Sequence, residues 1–123
     1  MTPSSKPAIS PVDAADASDA QFENLRQEVR RGALPLAVLS ALRKEFYGYT
    51  LRQELAAKGL EIDESTLYPL LRRLETHGLL TSQWREEDNR NKRFYRLSPA
   101  GKVVLKRLLD EWRTLNQSLN DIV

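Results

Sequence analysis

Apolar residues fall at helical spacing over most of the chain and at strand spacing in one short region. Phe22, Leu25 and Val29 start a helical pattern among charges that ends near Gly32. Leu34-Pro35-Leu36 restarts it, with Pro35 as the first residue of a helix. Leu36, Val38, Leu39, Leu42 and Phe46 make this second piece the most apolar helix in the chain. Such a helix is central to the core or to a subunit interface, and Leu36 is its candidate interface residue. Arg43-Lys44-Glu45 closes it with cations suited to a helix C-terminus. Tyr47-Gly48-Tyr49 reads as a turn. A short helix then runs from Thr50 to Lys58, buries Leu51 and Leu55, and ends at Gly59.

Residues 63–78 carry the next helix. Asp63 can accept hydrogen bonds from its first free amides, and Gly78 can take the left-handed conformation that stops it. Leu67, Leu70, Leu71 and Leu74 form one apolar stripe in between. Ser65, Thr66, Tyr68, Arg72 and Arg73 are left on the other faces. They offer hydroxyls, an aromatic edge and two guanidinium forks, which suit phosphates and base edges. Alone, the stretch reads equally well as a surface helix with solvated charges. Its neighbours decide: two short helices joined by a brief connection, the second polar outward, are the helix-turn-helix layout.

After Gly78 the period changes. Leu80 to Trp84 alternates as a strand does, and Arg93 to Leu97 does so again. Between them Arg85 to Lys92 is polar and charged, with Asn89 and Asn91 tolerant of the positive φ a turn needs. Two strands around a charged loop, directly after a helix-turn-helix, predict a wing. Its basic flank of Arg90, Lys92, Arg93 and Arg96 suits a phosphate backbone; the alternative is a solvated hairpin tip.

Ser98 and Pro99 start the last helix as cap and first-turn residue. Leu105, Leu108, Trp112, Leu115, Leu119 and Ile122 then follow at alternating spacings of three and four, a coiled-coil seam widened by Val104 and Leu109. A helix of ~25 residues spans nearly ~40 Å, more than so small a body covers. The seam therefore predicts a homodimer joined through Leu36, Leu105, Leu108, Leu115, Leu119 and Ile122.

Composition narrows the chemistry. A chain of 123 residues, 41% hydrophobic and 29% charged, is one globular domain with tails. It lacks cysteine and has one histidine, His77, which leaves neither thiolate chemistry nor a histidine-based metal site or triad. No cofactor and no metal are expected. No run approaches the ~18 apolar residues of a membrane span, and the N-terminus lacks a signal-peptide pattern, so a cytoplasmic protein without membrane contact is expected. Residues 1–21 are rich in Pro, Ser, Ala and Asp and read as a disordered tail, either idle or an arm that touches DNA or the partner subunit. That tail is net −2, and the remainder, with 18 basic and 14 acidic residues, is net +4. A basic body fits a nucleic-acid partner. The domains are then 1–21, the tail; 22–98, a winged helix-turn-helix with an N-terminal helix; and 99–123, the dimerisation helix. The fold is mostly α with a small β-hairpin.

Tyr47-Gly48-Tyr49, Ser65-Thr-Leu-Tyr-Pro-Leu-Leu-Arg-Arg-Leu-Glu75, Gly78-Leu79, and Lys92-Arg-Phe-Tyr-Arg-Leu-Ser98 with Gly101 resemble the PadR family of bacterial transcriptional regulators. The likeness runs from about Leu34 to Trp112. It implies a winged helix-turn-helix that dimerises through its terminal helices and binds palindromic operators in double-stranded DNA, usually as a repressor. Thr66, Tyr68 and Arg72 match positions on the family's recognition helix that face DNA. Tyr49 matches a position near the backbone, and Lys92 and Arg93 match basic wing residues. Trp112 looks like a tryptophan that, in some small members, lines a pore where flat aromatic ligands stack; the alternative is that it simply fills the seam. The chain departs from the family at Ser65 and at Asn89 to Asn91, where glycines are common, and in its N-terminal extension. Pro69, shared with the family, reads as a built-in bend in the helix.

The DNA-binding set is therefore Tyr49, Ser65, Thr66, Tyr68, Arg72, Arg73, Arg90, Lys92 and Arg93, with Trp112 as a candidate effector contact. A winged-helix adaptor that joins proteins without binding DNA is the alternative, and it would be expected to lose the basic face that Arg72, Arg73, Lys92 and Arg93 keep. An enzyme is not expected: the one carboxylate cluster, Glu86-Glu87-Asp88, falls in an exposed loop where nothing shields it from water.

Overall fold

The structure, a computed structural model, describes residues 11–123, with side chains from Ala15 onward. Its elements in order are α1 (Pro11–Ala41), β1 (Phe46–Tyr47), α2 (Gly48–Ala57), α3 (Glu64–Thr76), β2 (Leu80–Glu87), β3 (Arg90–Leu97) and α4 (Pro99–Ile122). The described residues fall into two units that divide between Ala33 and Leu34.

In the first unit the residues are helical from Pro11, where an irregular tail through residue 21 was expected; residues 1–10 of that tail lie outside the described residues. The Ala- and Asp-rich composition carries few large side chains, but nothing in it between Pro11 and Gly32 breaks a helix. Phe22, Leu25 and Val29 remain exposed, and Glu23 accepts from Arg26 and Gln27 at 3.3 and 3.2 Å. Gly32 does not end the helix. Helical backbone continues to Ala41 with Pro35 inside it.

In the second unit one leucine-rich core draws on every helix and on β2 and β3: Leu34, Val38 and Leu39 of α1 with Leu42 just past its end, Leu51 and Leu55 of α2, the four leucines of α3, Leu80, Tyr95 and Leu97 of the sheet, and Leu105 of α4. The helix-turn-helix is closed by paired C-caps. Gly59 (φ 90°) lets the Leu60 amide reach the Leu55 carbonyl, and Gly78 (φ 78°) lets Leu79 reach Leu74, each at 2.9 Å. Pro69 lacks the amide that would bond the Ser65 carbonyl, yet α3 continues across it.

The sheet differs from the expected hairpin in two ways. It has three antiparallel strands in the order β1-β3-β2, because Phe46 and Tyr47, expected in part as a turn, pair with Tyr95 and Phe94. The hairpin is also longer. Arg85–Glu87 pair with Arg90–Lys92, so only Asp88 (φ 53°) and Asn89 (φ 62°) turn, while Asn91 is a strand residue opposite Glu86. Positive φ at both central residues is the two-residue turn whose twist matches the strands. Arg85 to Asn91 are all exposed, so no apolar alternation marks this distal segment as strand.

The far end of β3 anchors the rest. Leu97 donates to the Leu42 carbonyl at 2.9 Å and Ser98 to the Leu79 carbonyl at 3.0 Å. Ser98 caps α4 by accepting the Gly101 amide at 2.9 Å, as its position before Pro99 implied.

Candidate nucleic-acid interface

The α2–α3 connection is braced before it can present anything. Arg52 donates through Nε to the Ile62 carbonyl (3.1 Å) and through Nη1 to Glu64 (3.0 Å), holding the start of α3 against α2. Nothing in the spacing announced this role for Arg52. Asp63 caps α3 by accepting the Thr66 amide at 2.9 Å. Hydrogen bonds from Thr66 and Ser65 hold the Asp63 carboxyl below the usual aspartate value.

With its leucines buried, α3 turns Ser65, Thr66, Pro69, Arg72 and Arg73 outward, all exposed. The guanidinium groups of Arg72 and Arg73 form no ion pair among the described residues, so their donors remain available to an anionic partner. Tyr68 is half-buried. Its ring stands where a β-carbon on Gly48 would lie, 2.3 Å from Cε1, so glycine at the start of α2 is what lets the two helices close. Tyr49 is 55% exposed beside Tyr47, ring centroids 6.4 Å apart.

The wing residues separate by strand alternation. Lys92 and Phe94 point to the sheet face that carries the Tyr47 side chain of β1, so the Lys92 ammonium lies 4.6 Å from the Tyr47 ring centroid and 3.4 Å from its hydroxyl. Only 16% of its side chain is exposed, and Asp88 and Glu87 are within 3.7 and 4.0 Å. Arg93 points to the opposite face and pairs with Glu75 of α3, while its Nε donates to Ser82 at 2.9 Å. Both cations, expected as backbone contacts, are thus engaged within the chain. Arg90 and Arg96 stay exposed and form no ion pair among the described residues. Arg85, outside the expected set, pairs with Glu45 and covers the Phe94 ring at 3.8 Å.

On α4 the expected seam splits. Leu105 is 3% exposed and belongs to the core of its own chain, not to an interface. Leu36 and Leu109 also pack against that core, Leu36 staying part-exposed. Leu108, Trp112, Leu115, Leu119 and Ile122 remain exposed along the rest of the helix.

A recognition-type helix braced at its start, flanked by a hairpin and followed by a long terminal helix is matched by a family model. Residues 36–107 fit the transcriptional regulator PadR-like family. The chain belongs to the PadR-like family of transcriptional regulators. It is 43% identical over 89 residues to the transcriptional regulator Rv3488 of Mycobacterium tuberculosis, covering 69% of this chain and 83% of that protein. The crystal structure of a PadR family transcriptional regulator from Eggerthella lenta superposes with a TM-score of 0.82 at 39% identity, covering 86% of this chain and 95% of that one. A transcriptional regulator from Clostridium thermocellum superposes with a TM-score of 0.72 at 29% identity, over 78% of this chain and 98% of the other. This PadR-like chain is accordingly a winged-helix transcriptional regulator, which implies DNA binding, and not an enzyme. Among its described residues no helix is long and apolar enough to cross a membrane, and no cluster of side chains fit to hold a metal occurs.

Proposed function

We propose that this regulator is a homodimeric, cytoplasmic repressor that reads a palindromic operator, one α3 in each of two successive major grooves. The observation that carries this reading is the outward face of α3, where exposed Arg72 and Arg73, without an ion pair among the described residues, share the helix surface with the hydroxyls of Ser65 and Thr66. Arg72 supplies the bidentate contact to a base or phosphate, and Arg90 and Tyr49 flank it on the backbone. Half-sites lie about 34–36 Å apart, one turn of duplex. The second copy comes through α4, whose exposed Leu108, Trp112, Leu115, Leu119 and Ile122 are apolar surface that a single chain leaves in water.

Trp112 is 46% exposed within that stripe. Facing its copy across the dimer, the pair of rings forms a slot suited to a flat aromatic effector, whose entry changes the angle between the two winged domains and releases the operator.

The test is a gel shift on the DNA upstream of the protein's own gene, with and without flat aromatic compounds, using wild type and Arg72→Ala. Retardation by wild type, lost with Arg72→Ala and relieved by an aromatic, is the expected result. Retardation that no aromatic relieves removes the effector, and no retardation of any fragment favours a protein–protein adaptor instead.

A further inference from the structure

Glu75, Ser82 and Arg93 come from α3, β2 and β3 and meet on the face where the hairpin leans on the helix. Arg93 donates from Nε to Ser82 Oγ at 2.9 Å and from Nη2 to Glu75 Oε1, and the Ser82 hydroxyl donates to Glu75 Oε2. Both oxygens of the carboxylate and both donors on the Nε–Nη2 edge of the guanidinium are used. The pair is part-buried, with 23% of the Glu75 side chain and 34% of the Arg93 side chain exposed. The guanidinium carbon also lies 5.6 Å from the Trp84 ring centroid and 5.5 Å from that of Tyr95, so aromatic faces hold it in place.

Helical geometry puts Glu75 three residues from Arg72, on the same flank of α3. The network therefore grips the helix beside the side chain offered to DNA. A phosphate approaching the Nε–Nη2 edge of Arg93 would meet Ser82 and the Glu75 carboxylate, which already occupy it. A lone surface ion pair does little, but three groups from three elements restrain the hairpin against rotation about the helix. A recognition surface made of helix and wing needs that relation held closely, since contacts fail when displaced by about 1 Å.

We propose that Glu75, Ser82 and Arg93 are positioning residues for DNA recognition: they lock the wing to α3 so that both reach one half-site together, and Arg93 neutralises no phosphate itself. The inference rests on α3 being the DNA-reading helix, as proposed above.

The test uses the full chain and a duplex that the wild type selects from a random pool, with affinity measured across a salt series and folding followed by thermal melts. Glu75→Ala and Arg93→Ala should each weaken binding about tenfold, and the double variant no more than either alone, as for members of one network. The slope of log affinity on log salt should stay at the wild-type value in all three. Arg72→Ala, the reference for a direct contact, should reduce it by about 0.9 if it meets a phosphate. Ser82→Ala, a milder change, should weaken binding with the slope unchanged. Exchanging the charges, Glu75→Arg with Arg93→Glu, should recover part of the loss. A salt slope lowered by Arg93→Ala while Glu75→Ala binds normally would make Arg93 a phosphate ligand and overturn the proposal. So would normal binding by every clamp variant while Arg72→Ala fails. If the wild type selects no duplex, the DNA reading of α3 falls and the clamp's role falls with it.

Discussion

A β-carbon added at Gly101 would stand 2.0 Å from the carbonyl oxygen of Leu79, so the first turn of α4 rests directly on the backbone leaving α3. The Ser98 hydroxyl tightens the joint by donating to the Gly78 carbonyl at 2.5 Å. Backbone cannot yield as a side-chain tip can. Gly101→Ala should therefore cost about 1–3 kcal/mol of stability. Gly32→Ala is the control: it lies in α1 with nothing within 4 Å of its added methyl, and alanine there should be neutral or stabilising by up to about 1 kcal/mol. Paired thermal melts decide it, and similar midpoints for the two variants would show that α4 has room to move.

Asp63 sets an acid-sensitive edge on α3. Thr66 and Ser65 hydrogen bonds lower its folded pKa, so its contribution is complete above the ordinary aspartate value and is lost as pH falls through the lower folded value. Wild type should lose more stability than Asp63→Ala over that acid window, and the two curves should converge at its lower end. Denaturant melts at stepped pH measure this. A gap between the curves that stays constant with pH would mean that the cap acts without titrating.

The amphipathic elements were legible because each buries one face. The stripe of Leu67, Leu70, Leu71 and Leu74, the cap at Asp63 and the stop at Gly78 all stand in the structure where the pattern put them. The distal hairpin was not legible: Arg85 to Asn91 is exposed throughout, and ladder hydrogen bonds leave no mark on side-chain type. The same gap hid β1. Without Tyr47 as a covering strand residue, nothing could turn Lys92 inward, and without the register, nothing could send Arg93 to Glu75. A seam spacing likewise does not say where a helix leaves its own core, and Leu105 lies on the near side of that point.

Position along β3 separates two cations that share one face of the wing and look alike in sequence. Arg90 is exposed at the tip, whereas Lys92 lies over Tyr47 with 16% of its side chain in solvent. Arg90→Ala should lower the salt slope of DNA binding by up to about 0.9 and leave the melting temperature unchanged. Lys92→Ala should do the reverse, lowering the midpoint through lost packing and the cation–π contact, with the slope kept. The experiment is a salt series with a melt for each variant. An exchange of the two phenotypes would mean that Lys92 swings out to meet the backbone.

The exposed half of α4 gives the sharpest test of assembly. From Glu111 onward every residue of α4 is exposed, so a charge placed there disturbs no packing within the chain. Leu115 and Leu119 are 49% and 48% exposed, one turn apart on the apolar stripe. If a second copy covers that stripe, Leu115→Glu must bury a carboxylate beside its own symmetry mate, and the like charges repel where the interface has least water. Sedimentation should then report a dimer for wild type and a monomer for Leu115→Glu at micromolar concentration, with the melt of the winged unit little changed. Operator affinity should collapse with it, because one α3 retains only a half-site's contacts. A Leu115→Glu variant that stays dimeric would move the interface off this stripe, and with it the paired Trp112 rings.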